Sequence, residues 1–309
     1  MLPLVDPGKY PSIFGICESV LAAWPDHHDF ILTRFDDCSE HSLAIAEEIA
    51  GLALRLADKD LPTFASAYRW MCEELLVEEL FFRRNCKYRL SSFEDAYREV
   101  YSRPDYMKKY LRGILISQVL WANQTKAFHF YVERFLKRVD SGADFLEVGP
   151  GHGLLIYFAA RDIKQGSLSA WDVSNSSLTM TKNSLKALEV RRPVSLACKN
   201  IMEPISEGGS FDALVMSEVL EHLDHPEIAL REGFRSLRHG GLAFFNTPIN
   251  SPAPDHIYNW DSPEQIVELI RSAGFAIVES CNAPVTGYTL DRAMRRKVTV
   301  NCLIIARRA

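Results

Sequence analysis

Asp144-Phe145-Leu146-Glu147-Val148-Gly149-Pro150-Gly151-His152-Gly153 is the stretch whose reading decides the fold. Its first half reads as the end of a buried strand, with Glu147 as the acid inside the apolar run that follows Asp144. Its second half is a glycine turn, Gly-x-Gly-x-Gly. Leu154, Leu155, Ile156, Phe158, Ala159 and Ala160 follow and suit a helix. Strand, glycine turn and helix form the opening unit of a doubly wound α/β domain. Without a Cβ the backbone turns tightly and a ligand can lie against it. The helix start adds free N–H groups that favour a carboxylate or phosphate. The spacing is not the G-x-G-x-x-G of dinucleotide enzymes.

Downstream, strands and helices alternate. Ser167 to Asp172 reads as a second strand that ends in an acid, where a doubly wound sheet reaches ribose hydroxyls. Asp172 is also a candidate helix cap, as are Ser174 and Ser177. Val194 to Cys198 is a third strand, followed by Lys199-Asn200-Ile201-Met202. Ser210 to Met216 is a fourth and runs into Ser217-Glu218-Val219-Leu220-Glu221-His222-Leu223-Asp224-His225-Pro226. Asp224, Pro226 and Glu227 supply cap, first-turn proline and capping-box acid for a helix to about Arg238. His239-Gly240-Gly241 ends that helix, and Leu242 to Pro248 is the fifth strand. Ser262-Pro263-Glu264-Gln265 opens a helix that Gly274 stops. Phe275 to Cys281 and Val298 to Ala306 are the last two strands.

Glu147-Val148-Gly149-Pro150-Gly151-His152-Gly153 resembles motif I of the class I S-adenosylmethionine (SAM) methyltransferases. FDALVMSEVLEH followed by LRHGGLAFFNTP looks like the core shared with ubiquinone-biosynthesis O-methyltransferases and natural-product methyltransferases. The resemblance covers residues 141–309. It implies a Rossmann-like sheet of seven strands whose last strand is antiparallel, with SAM as cofactor. It places SAM on Glu147, Gly149, Gly151, Gly153, Asp172, Asn200, Ile201 and Ser217. Asn200 would bond the adenine amino group and Ile201 cover the ring; Asp is commoner at the former position, but an Asn carbonyl oxygen also accepts.

The first 140 residues lie outside the resemblance and read as all-helical. Leu43, Ala46, Ile49, Ala50 and Leu54 recur at helical spacing, as do Phe64, Tyr68, Met71, Leu75 and Leu76. Ser91 with Glu94 matches a capping box for a helix through Tyr101. Asp105 to about Arg138 is a long apolar stretch, one broken helix. Helix packing explains these aromatics. In small-molecule methyltransferases such an extension often forms a lid, a substrate wall or a dimer contact. Gln118, Trp121, Asn123 and His129 interrupt the apolar pattern and are the candidates for a substrate wall. A homodimer through these helices is the partner expectation.

The chain has 309 residues, 47% hydrophobic and 24% charged, with net charge −5. That length suits two modest domains, 1–140 and 141–309. The negative charge disfavours nucleic acid as a partner. Seven cysteines, none in a C-x-x-C pair, fit a reducing compartment better than a disulfide or zinc scaffold. The N-terminus does not resemble a signal peptide, and no apolar run is long enough to span a bilayer. A cytoplasmic protein without membrane contact is expected.

Methyl transfer from a sulfonium needs alignment and the removal of one proton. Glu218, Glu221 and His222, at the fourth-strand tip, are the catalytic candidates. His222 is the natural general base; holding the loop is its structural alternative. Glu218-x-x-Glu221-His222 together with His256 resembles the metal site of small-RNA 3′-end methyltransferases. Those four residues are candidate ligands for Mg²⁺, Mn²⁺ or Zn²⁺. The leading expectation is methyl transfer to an oxygen of a small molecule. A metal-dependent methyltransferase of an RNA end and a non-catalytic SAM-binding scaffold are the alternatives.

Overall fold

Apolar residues fill both faces of the central strands, so the sheet must be covered on both sides. In the computed structural model, which describes residues 5–36, 38–205 and 208–309, it is. Chain order is α1 (Pro11–Ala23), α2 (His28–Thr33), α3 (Glu40–Ala57), α4 (Leu61–Asn85), α5 (Phe93–Ala96), α6 (Pro104–Leu120) and α7 (Ala122–Phe130). Then come β1 (Phe145–Val148), α8 (Leu154–Asp162), β2 (Leu168–Asp172), α9 (Asn175–Ala187), β3 (Ser195–Cys198) and β4 (Phe211–Ser217). Last are α10 (Pro226–Ser236), β5 (Leu237–Ile249), α11 (Pro263–Ser272), β6 (Phe275–Pro284), α12 (Leu290–Arg296) and β7 (Val300–Arg308). The sheet order is β3-β2-β1-β4-β5-β7-β6. β7 runs antiparallel between β5 and β6, and the remaining pairs are parallel.

The period of two along each strand sorts side chains into two cores. Phe145, Ala213, Val215, Phe244, Leu303 and Ile305 face one core. Their neighbours Leu146, Leu214, Met216, Phe245, Cys302 and Ile304 face the other, against α10 and α11. The first core does not stop at α8. It continues into the N-terminal helices through Phe130, Tyr131 and Phe135, whose rings lie 5.4–6.3 Å from that of Phe244. Gly113 of α6 lets that helix press on α4; a Cβ there would sit 2.9 Å from the Ala67 carbonyl oxygen.

Several local expectations differ from the structure. Ser92, not Ser91, caps α5, accepting from the Asp95 N–H and donating to the Asp95 carboxylate. Asp224 does not cap α10. Its carboxylate accepts the Phe93 N–H at 3.0 Å, and His225 occupies the cap position without a side-chain bond. A long-range demand outcompetes the local one. α10 ends at Ser236, and Gly240-Gly241 lies inside β5 at a bulge against β4, with Gly240 at φ 80°. α12, capped by Thr289, had no counterpart in the sequence reading. The long helix after Asp105 does break, at the extended Trp121. Among the described residues no helix is long and apolar enough to cross a membrane.

Candidate active site

The strand tips of β1 to β5 and the N-terminal helices enclose a cavity of about 660 Å³. Glu147, Gly149, Gly151, Asp172, Asn200, Ile201, Ser217, Glu218, His222 and His256 all line it. Two of the cofactor, catalytic and metal candidates do not. Gly153, at φ 82°, caps α8 and lets it pass α9, where a Cβ would lie 3.3 Å from the Thr181 Cα. Glu221 is fully buried just behind the wall. Of the candidate substrate wall, Gln118, Trp121 and Asn123 line the cavity; His129 lies outside it, edge-on to His41.

The glycine turn needs its glycines. Gly149 and Gly151 have φ 73° and 50°, where a Cβ is strained. Beside them the ring of His152 stacks near Phe128, and its Nδ1 accepts the Leu154 N–H at 3.2 Å. That bond leaves the ring proton on Nε2, and burial holds the pKa down to about 4, so the ring is neutral. Asp172 has two tasks. Its carboxylate accepts from the Ser174 N–H (2.8 Å) and the Ser177 hydroxyl (2.5 Å), bracing the start of α9, and it also borders the cavity. Burial raises its pKa against those bonds. Glu147 is buried with Oε2 unpartnered; burial, then the charge of Asp172, raises its pKa well above the usual range.

Across the cavity Glu221, His222 and His256 present ligand-type atoms within 4.8 Å of one another. The surroundings fix both imidazole tautomers. Nδ1 of His256 faces the Ser251 carbonyl oxygen at 2.6 Å, so it carries the proton. Nδ1 of His222 faces the Asp255 carbonyl oxygen and the Tyr101 hydroxyl, each at 3.0 Å. Tyr101 gives its own proton to the Asp255 carboxylate at 2.9 Å, so toward His222 it is an acceptor. Each histidine is thus left with a bare Nε2, the tautomer a metal requires. The Nε2 of His222 lies 3.7 Å from a carboxylate oxygen of Glu221. Both oxygens of Glu221 lack a hydrogen-bond partner. Burial, then the charges of Glu218 and Asp255, raises the Glu221 pKa, and burial, then His222, lowers that of His256 to about 4. A buried carboxylate in that state takes either a proton or a cation.

Glu218, grouped with these residues by sequence, lies beside Glu221 but is held by amides. Its carboxylate accepts from the side-chain amides of Gln124, Asn246 and Asn301. Sequence reasoning missed Tyr101, Tyr110, Asp255, Asn246 and Asn301 as wall residues. For the two asparagines a signal existed: each is a lone amide inside an apolar strand. For the tyrosines there was none.

Comparison with known proteins finds methyltransferases. A family described as "Methyltransferase domain" matches residues 146–245. Over residues 146–245 the chain carries a methyltransferase domain of the class I SAM-dependent kind. The mitochondrial ubiquinone biosynthesis O-methyltransferase of Candida albicans is 34% identical over 108 residues, 35% of this chain and 33% of that protein. The ubiquinone biosynthesis O-methyltransferase of Chromobacterium violaceum is 25% identical over 189 residues, 55% of this chain and 80% of that protein. A solved SAM-dependent methyltransferase from Aquifex aeolicus aligns at a TM-score of 0.47 and 15% identity, over 66% of this chain and 98% of that one. The methyltransferase uses SAM; the matches to known relatives leave its acceptor open.

Proposed function

We propose that this methyltransferase transfers the methyl group of SAM to a hydroxyl oxygen of a small, largely apolar molecule, with a divalent cation held by Glu221, His222 and His256. The convergence of those three side chains, His222 and His256 in the wall of the cavity that also holds motif I residues and Glu221 just behind it, carries the reading. SAM supplies an electrophilic methyl on a sulfonium. Glu147, Gly149, Gly151, Asp172, Asn200, Ile201 and Ser217 hold it along the tips of β1 to β4. A Mg²⁺, Mn²⁺ or Zn²⁺ ion would lower the pKa of a hydroxyl placed against it. Tyr101 and Asp255 hold the His222 ring, and Ser251 holds that of His256. Met71, Leu75, Met107, Leu111 and Ile114 from the helical region give the acceptor an apolar wall and exclude water.

An RNA end fits poorly. The cavity is lined by Glu79, Glu147, Asp172, Glu218, Asp224 and Asp255, with Lys199 as its one Lys or Arg among the described residues. Phosphate recognition needs the opposite balance.

The test uses SAM carrying a labelled methyl group and a panel of catechols and simple phenols. Transfer to catechols is expected, abolished by a chelator, restored by one of the three cations and lost in Glu221→Gln and His256→Ala. Transfer that ignores chelator and both variants removes the cation and returns His222 to the role of general base. Failure to bind S-adenosylhomocysteine (SAH) would overturn the reading altogether.

A further inference from the structure

The sheet order separates the cavity into two sides. Apart from Ser217 at the end of β4, the residues proposed for SAM hang from β1, β2 and β3, outward from the glycine turn. The far side is walled by β4, β5 and β7, and there a ring of side-chain amides closes on one carboxylate. Oε1 of Glu218 accepts from Gln124 at 3.5 Å, from Asn246 at 3.0 Å and from Asn301. Asn301 also donates to the Asn246 Oδ1 at 2.8 Å, and Asn246 to the Ser217 hydroxyl at 3.0 Å. Asn123, from α7, donates to the Asn301 Oδ1 at 2.7 Å.

The carboxylate orients every amide in this ring. It only accepts, so Asn246 and Asn301 must face it with nitrogen. Turned that way, Asn301 shows its oxygen to Asn123. Asn123 must answer with its own nitrogen, and its Oδ1 is left with no partner although the residue is only 3% exposed. A buried amide oxygen without a donor calls for an explanation. Asn246 and Asn301 have spent both of their N–H groups inside the ring. The acceptors left over are Oδ1 of Asn123 and Oε2 of Glu218, which no amide of the ring reaches. Both residues line the cavity. The backbone of Glu218 is held at φ 55° to place that side chain, with its N–H on the Asn246 carbonyl at 2.8 Å. Lys199, the one Lys or Arg of the wall among the described residues, sits on the SAM side over the Trp171 ring, 4.4 Å from its centroid.

We infer that Asn123, Gln124, Glu218, Asn246 and Asn301 form an acceptor-recognition subsite for an N–H or O–H donor, an ammonium group above all, and that Glu218 serves this subsite and not the cation. The inference rests on the methyl-transfer reading. It narrows the acceptor to a neutral or cationic molecule with a donor arm beside the hydroxyl that is methylated, and it excludes carboxylates and phosphates.

The experiment compares three probes that share a 3,4-dihydroxyphenyl ring and differ in one arm: aminoethyl, hydroxyethyl or carboxymethyl. Each is titrated calorimetrically into the SAH-loaded, full-length protein and its Glu218→Gln and Asn123→Ala variants. SAH affinity is measured first; its absence strikes the methyl-transfer reading, whereas intact SAH binding isolates the subsite. The amine is expected to bind at least about tenfold more tightly than the carboxylate. Glu218→Gln should collapse that difference while cation binding by Glu221, His222 and His256 persists. Asn123→Ala, which leaves the Glu218 carboxylate in place, should weaken the amine and hydroxyl probes severalfold. Overturning results are a carboxylate that binds as tightly as the amine, no amine binding at millimolar concentration, discrimination that survives both variants, or loss of cation binding in Glu218→Gln.

Discussion

Gly149 and Gly151 look equivalent in the sequence, but their surroundings separate them. A Cβ on Gly149 would come 2.8 Å from the Val219 Cγ2, whereas one on Gly151 would meet nothing nearer than the Leu111 Cδ2 at 3.9 Å. Both carry positive φ, which costs an L residue about 1–2 kcal/mol. Gly149→Ala is therefore expected to lower the melting temperature more than Gly151→Ala does. Gly151→Ala should instead lower SAH affinity at least about tenfold, because its Cβ enters the space that the ligand uses. Thermal melts and SAH titrations on both variants check the contrast; equal loss of stability in the two would refute it. That Gly149, Gly151, Asp172 and Asn200 line one cavity was legible because each sits at a fixed offset from a strand end. Glu218 was legible as a site residue but not in its orientation. Its partners Asn246 and Asn301 lie 28 and 83 residues away, and no local spacing encodes that meeting.

At the scale of elements, the segment between α4 and α6 docks on the loop that follows β5. Tyr88 bonds Asn259 at 2.9 Å and receives the Ser251 N–H at 2.8 Å. Tyr101 of this segment and Tyr110 of the following α6 both reach the Asp255 carboxylate. This segment thereby holds the frame in which the histidine tautomers are set. Tyr101→Phe removes the hydroxyl that joins Asp255 to His222 but leaves the ring stacked near Phe93. It is expected to weaken Zn²⁺ or Mn²⁺ binding by about 10–100-fold, as loss of a ligand's outer hydrogen bond does. Unchanged cation affinity, with unchanged folding by circular dichroism, would remove Tyr101 from the site. The sheet order was legible through its resemblance and the helices through their period. Caps were less so. Asp224 satisfied a local rule that a contact with Phe93, far along the chain, overrode, whereas Ser91 lost the cap to its neighbour Ser92.

Two predictions concern the whole molecule. His27 is stacked between Trp24 and Phe30 with its Nε2 on the Tyr68 hydroxyl, and burial lowers its pKa to about 4. Unfolded, it titrates near 6.5, so the unfolded chain binds the extra proton between those values and stability falls as pH drops through that window. Glu147 and Glu221, raised by burial, act with the opposite sign, so the total profile mixes both. A difference between proteins cancels them: His27→Gln should lose less melting temperature than the wild type on going from pH 7 to pH 5. An equal loss would show that His27 is not linked. The second prediction concerns cooperativity. A boundary near residue 140 suggests two units, but the first core runs unbroken from the helices through Tyr131 and Phe135 to Phe244, Val215 and Ile305. Polar bonds cross the same border: Asn123 to Asn301, the Ala122 N–H to Thr286, Lys126 to the Asn282 carbonyl and Tyr131 to the Leu155 carbonyl. A sheet face stripped of those helices would leave large apolar side chains in water and Asn301 without its partner. The chain should therefore melt in one calorimetric transition, with calorimetric and van't Hoff enthalpies in agreement. A fragment of residues 141–309 should be insoluble or unfolded. Two separate transitions, or a soluble fragment that binds SAH like the full chain, would show that the helical region is a detachable lid and not half of the core.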